Sequence, residues 1–190
     1  MRLPRSKYNS IDEIKSDINE TTCVVLGNGS SINDLDWAKV DNFYTIGVNR
    51  IGKIYTPDIH VCVDSVCVTN QEYWCKDAPT KVSWHGYEDA DFIRVGKKHP
   101  SLGFALYLAI DLGFTKIYLS GADYKGPHYN NGSYYYSRNG VYPPRPFRSG
   151  MRRIKKVQRL LTELGGELLN CSRDSAVDFL PHTEDINVPE

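Results

Sequence analysis

The stretch Thr22-Cys23-Val24-Val25-Leu26-Gly27-Asn28-Gly29-Ser30-Ser31 decides how the rest of the chain is read. Its first half is a short, unbroken, β-rich run, and its second half has the Gly, Asn and Ser composition of a tight loop that feeds a helix cap. Strand, glycine loop, helix is the order this predicts. Upstream, Ser10-Ile11-Asp12-Glu13 has the S-x-x-E arrangement in which Ser and Glu satisfy each other's orphan N–H groups, and Ile11, Ile14 and Ile18 follow at helical spacing. Downstream, buried strands are predicted over residues 43–48, 59–63, 81–84, 117–120 and 167–170. A regular helix is predicted over 101–112, where Leu102, Ala105, Leu106, Ala109 and Ile110 recur at helical spacing and Gly113 supplies the stop. This alternation predicts an α/β fold, a Rossmann-like, mostly parallel sheet flanked by helices.

Composition narrows the class. The 190 residues fit one domain spanning 1–190, 41% are hydrophobic and 24% charged, and Lys+Arg and Asp+Glu stand at 23 each. Disordered, collagen-like and wholly basic nucleic-acid-binding chains are excluded. No apolar run reaches the length of a membrane span, and Met-Arg-Leu-Pro-Arg-Ser-Lys leads into polar sequence rather than an apolar signal core, so a cytoplasmic location is expected. The five cysteines, Cys23, Cys62, Cys67, Cys75 and Cys171, show neither CxxC pairs nor His partners at zinc-ligand spacing. They read as reduced thiols, most of them small buried hydrophobes.

Open α/β sheets place ligands outside the carboxyl ends of their strands. Those ends read Gly27-Asn28-Gly29-Ser30, Asn49-Arg50, Asp64-Ser65 and Gly121-Ala122-Asp123-Tyr124, all small or polar. The first loop lacks the third glycine of a G-x-G-x-x-G fingerprint and the Gly-Lys-Ser/Thr of a P-loop, which disfavours hydride transfer and P-loop phosphoryl transfer. Its glycines permit close approach of a ligand, and the helix expected after it would offer N–H groups to an anion.

Charge is unevenly spread. Between residues 124 and 162 there are nine Lys and Arg residues and no Asp or Glu, and the first half of this segment carries Tyr124, Tyr129, Tyr134, Tyr135, Tyr136 and Tyr142 among Gly, Asn and Pro. Residues 124–149 are therefore read as a Tyr- and Arg-rich lid. A helix is predicted over 150–164, with Ile154, Val157, Leu160, Leu161 and Leu164 as its buried stripe and Gly165-Gly166 as its stop. Its Arg and Lys residues, with the interleaved tyrosines, would suit a polyanionic acceptor such as nucleic acid or a phosphorylated glycan.

Gly27-Asn28-Gly29-Ser30-Ser31, Gly47-Val48-Asn49-Arg50, Pro100-Ser101-Leu102-Gly103 and the run Leu112 through Gly121-Ala122-Asp123-Tyr124 together resemble the bacterial lipooligosaccharide sialyltransferases of glycosyltransferase family 42. The resemblance covers roughly residues 22–169 in order, with the middle, 69–98, shorter here. It extends to a wider superfamily that includes archaeal dihydropterin diphosphokinases. It implies a nucleotide-binding α/β sandwich with a lid, a CMP-activated sugar as donor and a glycan or other hydroxyl compound as acceptor, with no obligatory cofactor; relatives are often oligomeric. By motif, Asn28, Gly29 and Ser30 would approach the nucleotide phosphate or ribose, and Asn49 and Asp64 the nucleotide. Ser101 and Gly103 would meet ribose or base, and Gly121 would shape the base pocket with Asp123. The donor phosphate would meet Tyr124 and one of Tyr134, Tyr135 and Tyr136, with Tyr135 taken as the middle choice.

One departure from the family concerns the chemistry. Where its members carry a general-base histidine before the last long helix, this chain reads Arg145-Pro146-Phe147-Arg148-Ser149-Gly150. His128 is the nearest substitute, Asp123 and Asp64 are carboxylates that could serve as base or metal ligand, and Arg148 could stabilise the departing phosphate. The diphosphokinase relationship would instead imply ATP and magnesium, and loss of the base would leave a nucleotide-binding module without catalysis.

Overall fold

The computed structural model describes residues 7–63, 75–83, 90–93, 100–124, 145–172, 175–183 and 186, with the side chains of 92, 93 and 145–147 left aside. Among the described residues, seven strands form one sheet: β1 (Thr22–Leu26), β2 (Tyr44–Val48), β3 (Ile59–Val61), β4 (Thr80–Ser83), β5 (Phe92–Ile93), β6 (Lys116–Ser120) and β7 (Glu167–Asn170). Their order is β5-β4-β3-β2-β1-β6-β7, and every neighbouring pair is parallel. The α/β, parallel reading of the sequence holds. Every residue of β1 is buried, as expected for a strand with neighbours on both edges and layers on both faces.

Side-chain alternation along β1 divides the core in two. Cys23 and Val25 face a cluster built with Ile46, Val48, Ile117 and Leu119, covered by the Ser101–Asp111 helix through Phe104, Leu108 and Ala109 and by the Arg145–Glu163 helix through Ile154, Val157 and Leu161. Val24 and Leu26 face the opposite cluster with Ile32, Val40, Phe43, Ile51, Tyr118 and Ile186. At the amino ends, Asp58 holds the β2–β3 junction: its Oδ2 accepts from Thr45 N–H at 2.8 Å and Thr45 Oγ1–H at 2.7 Å, while its own N–H donates to Thr45 Oγ1 at 3.0 Å.

The structure departs from the sequence reading at several points. The segment after the glycine loop is a 3-10 turn, Ser30–Asp34, and not an α-helix; it offers only Ile32 as a buried residue, too little apolar surface to hold a longer helix. Strand β5 escaped the sequence reading because two residues show no period. The last long helix begins at Arg145, so the final five residues of the expected lid are helical. Leu160 and Leu164, assigned to that helix's buried stripe, are 36% and 60% exposed. At the leading helix, Ile11–Ser16, Ser10 Oγ accepts from Glu13 N–H as expected, but the Glu13 carboxylate reaches one residue further back, to Asn9 N–H at 2.8 Å. Gly113 (φ +96°) and Gly165 (φ +79°) lie where the sequence put the two helix stops.

Gly27 is the tightest point in the sheet's upper edge. A Cβ on Gly27 would overlap the backbone carbonyl of Gly121, which has no rotamer with which to retreat. Gly27→Ala is expected to lower the unfolding free energy by about 2 kcal/mol in urea titrations, the usual cost of overpacking a rigid site; an unchanged midpoint would contradict the packing described.

Candidate functional site

Beyond the strand ends, the β1–β6 ladder continues into the loops. Gly27 N–H donates to Ser120 O at 2.7 Å and Gly29 N–H to Gly121 O at 2.8 Å. This seam lies at the topological switch point, because β2 to β5 build out on one side of β1 and β6 and β7 on the other. Asp123 then closes it. Its Oδ2 accepts from Ser31 N–H at 2.9 Å and from Ser30 Oγ–H at 3.2 Å, and its Oδ1 accepts from Ser31 Oγ–H at 2.5 Å. With its one proton on Asp123, Ser31 Oγ takes the 2.9 Å bond to Ser172 Oγ as acceptor, and Ser172 Oγ in turn accepts from Gly121 N–H at 3.1 Å.

The turn after Gly29 thus holds an anion from the protein itself. The sequence expectation that this turn presents N–H groups to an external anion is corrected for Gly29 and Ser31, whose N–H groups are already donated. Asp123 is 5% exposed and both its oxygens are engaged, so its observed work is to tie the β1 and β6 loops together.

A second arrangement forms where β2 ends. Asn49 adopts φ +50°, one of two non-glycine residues among those described with positive φ, and starts the 3-10 turn Asn49–Lys53. Its Nδ2 donates to Ser101 Oγ at 3.0 Å, the first residue of the Ser101–Asp111 helix. Asn tolerates the left-handed region better than other side chains, but such conformations still cost free energy and gather at functional sites. Asn49 and Ser101, which the resemblance assigned separately to the nucleotide and to ribose or base, are thus hydrogen-bonded to each other.

His60 on β3 buttresses this turn and was not singled out in the sequence. It is fully buried; Cys75 N–H donates to its Nδ1 at 3.3 Å, and Nε2 lies 2.7 Å from Asn49 O. An Nδ1 that accepts must be unprotonated, which places the ring's proton on Nε2, donating to Asn49. Burial, reinforced by Lys81, pushes the imidazole pKa down to about 4 despite the Asn49 carbonyl. The available signal was a titratable residue set between Ile59 and Val61 in an apolar run.

The other candidates fall as follows. Gly121 (φ +67°) is packed by Ile32 and Gly27, whereas a Cβ on Gly103 would meet only Arg153 at ordinary contact distance, 3.5 Å, so packing does not demand glycine there. Tyr124 (φ +51°) is half-buried with its ring against Gly150, and burial pushes its phenol pKa up, against the pull of nearby Arg153. Arg153, one of the helix cations counted in the sequence, is half-buried, and a Cβ on Gly103 would meet its side chain. Arg148 is exposed on the first turns of its helix, as are Arg152, Lys155, Lys156 and Arg159 further along it. Asn28 is half-buried on the β1 loop. Asp64, His128 and Tyr135 lie outside the described residues. Among the described residues, no group of three or more His, Cys, Asp or Glu side chains could hold a metal ion, and no helix is long and apolar enough to cross a membrane. Cys23, Cys62, Cys75 and Cys171 are free thiols; burial raises the Cys23 pKa and pushes that of Cys171 up to about 12.

The fold is similar to that of the sialyltransferase CstII. The Campylobacter jejuni enzyme in complex with the substrate analogue CMP-3FNeuAc matches with a TM-score of 0.54 at 15% identity, over 90% of this chain and 96% of that one. The CST-II complex with a trisaccharide acceptor and CMP matches with a TM-score of 0.52 at 15% identity, over 89% and 95%. No protein-family model and no curated protein sequence matches.

The neutral imidazole has a thermodynamic signature. The folded-state pKa of His60 lies below the unfolded value of 6.5, so the unfolded chain binds the extra proton first. Its contribution is complete above pH 6.5 and is lost as pH falls from 6.5 toward 4, by roughly 3 kcal/mol in all at 1.36 kcal/mol per pKa unit. Thermal unfolding of the wild type and His60→Gln between pH 7.5 and 4 is expected to show a shallower loss in the variant; parallel profiles would contradict the assignment.

Proposed function

We propose that the protein is a glycosyltransferase that takes a nucleotide-activated sugar, CMP-linked, and transfers the sugar to a hydroxyl acceptor. The observation that carries this reading is the strained Asn49, its amide held to Ser101 at the carboxyl end of β2, in a fold whose solved examples contain CMP-3FNeuAc and CMP. Asparagine amides offer both donors and an acceptor, which suits recognition of a ribose and a pyrimidine edge. In this reading Asn28 and Asn49 contact the nucleotide, Ser101 and the bare backbone at Gly103 line the ribose, and Tyr124, with Tyr135 or one of its neighbours, approaches the donor phosphate. Asp64 completes the nucleotide contacts.

In the transfer step the acceptor oxygen bonds to the anomeric carbon as the bond from that carbon to the phosphate oxygen breaks. The nucleotide departs as its monophosphate, and a base receives the acceptor's proton. His128, four residues after Tyr124, is proposed as that base. Arg148 is proposed to face the charge gathering on the departing phosphate, where a forked guanidinium matches phosphate oxygens. Asp123 is left as a positioning residue, since its oxygens already serve Ser30 and Ser31. The exposed cations of the Arg145–Glu163 helix support an anionic acceptor, a charged glycan or nucleic acid. A cytoplasmic location is the expectation carried from the sequence, and the resemblance leaves room for an oligomer.

Calorimetric titration with CMP, CDP, UMP, UDP, GDP, AMP and ATP, with and without magnesium, tests the reading. Selective, metal-independent CMP binding is expected, and Asn28→Ala should weaken it at least tenfold while the melting temperature stays within about 3 °C, as for a loop substitution outside the core. Preference for ATP with magnesium would instead assign diphosphate transfer, as in the pterin diphosphokinases, and CMP binding without transfer would leave a binding module. His128→Ala is expected to lower turnover by about 10²–10⁴-fold with donor affinity retained; a fully active variant would remove His128 from the chemistry.

A further inference from the structure

We propose that His60 is a positioning residue for the nucleotide site: through its Nε2–H bond to the Asn49 carbonyl it fixes the left-handed turn that presents the Asn49 side chain. The inference rests on the reading of the β1 and β2 ends as a nucleotide site, and it adds a residue that touches no ligand itself.

His60 occupies a position where an aliphatic side chain would serve the sheet. Its neighbours on β3, Ile59 and Val61, are fully buried in the apolar core, and an imidazole there is unfavourable unless both nitrogens are satisfied. Both are satisfied, and in one sense only. Cys75 N–H fills Nδ1 at 3.3 Å, so the proton sits on Nε2 and can be given to Asn49 O at 2.7 Å. A ring that accepts on one side and donates on the other cannot be replaced by a hydrocarbon without leaving the Cys75 N–H and the Asn49 carbonyl short of these bonds.

The direction of that second bond is what matters for the site. Asn49 follows the last residue of β2, and its backbone turns into the positive-φ region, which swings its carbonyl back toward β3. With the carbonyl anchored behind, the side chain is sent forward to Ser101 Oγ at the start of the facing helix. The turn is packed down on the imidazole as well: a Cβ on Gly52 would come within 3.1 Å of Nε2 and would overlap Cys75 Cβ. In register, His60 stands beside Gly47 of β2, over which Ile51 and Pro57 pack so closely that a Cβ there would overlap them. His60, Gly52 and Cys75 thus form a support that meets the site at Asn49.

A double-mutant cycle read by CMP calorimetry tests this. His60→Leu is expected to weaken CMP binding at least tenfold, and His60→Gln, whose amide can donate to Asn49 and accept from Cys75, should return to within about threefold of wild type. In an Asn49→Gly background, where the turn needs no clamp and the amide is gone, His60→Leu should cost less than a further twofold. Full affinity in His60→Leu, or an equal loss in both backgrounds, would overturn the proposal, the second by showing general damage to the sheet. If wild type binds no nucleotide, the nucleotide reading fails by itself. The clamp is then decided by backbone chemical shifts of Asn49: loss of its left-handed signature in folded His60→Leu and retention in His60→Gln support it, and retention in both refutes it.

Discussion

The pairing of the β1 and β6 loops is the constraint from which the site's geometry follows. Two backbone hydrogen bonds, Gly27 to Ser120 and Gly29 to Gly121, extend the central ladder past the strands, and the Asp123 carboxylate then supplies the negative charge that the Ser30 turn would otherwise seek outside. An internal carboxylate held by a turn N–H and two hydroxyls is a strong set of charge-assisted bonds in a low-dielectric setting. It converts the crevice at the switch point into a rigid wall. Around the next strand end stand the bonded pair Asn49 and Ser101, with Asn28 on the β1 loop.

That division of labour explains why two strained residues coexist with a well-packed sheet. Asn49 and Tyr124 hold positive φ at the ends of β2 and beyond β6, and each is backed by a buried element: His60 behind Asn49, the Gly150 turn of the long helix behind Tyr124. Strain of this kind persists only where surrounding packing over-determines it. The same helix carries exposed cations on its outer side and buries Ile154, Val157 and Leu161 on its inner side, so one element both supports the site and displays positive charge beside it.

The strands were legible because parallel, doubly covered strands are nearly continuous apolar runs, and 22–26, 44–48 and 116–120 have no other comfortable state. Helix ends were legible at Gly113 and Gly165 for a local reason, their positive φ. What sequence could not reveal is non-local. The anion at the Ser30 turn comes from Asp123 on a distant strand end, and the partner of the Asn49 carbonyl comes from β3. Charge patterning along one helix does not say that Arg153 is half-buried toward Gly103 while Arg152, Lys155 and Lys156 are exposed. The resemblance singled out Asn49 and Ser101 one by one; that their side chains bond to each other is likewise a non-local fact.

The central claim is that a nucleotide lies across the ends of β1 and β2, outside the sealed β1–β6 seam. Mapping backbone amide shifts on adding CMP to the ¹⁵N-labelled protein tests it most directly. The account predicts the largest changes at Asn28, Asn49, Arg50 and residues 101–103, with Thr45 and the opposite, amino-terminal edge of the sheet unmoved. Shifts confined to the amino edge, or to the exposed face of the Arg145–Glu163 helix, would contradict it.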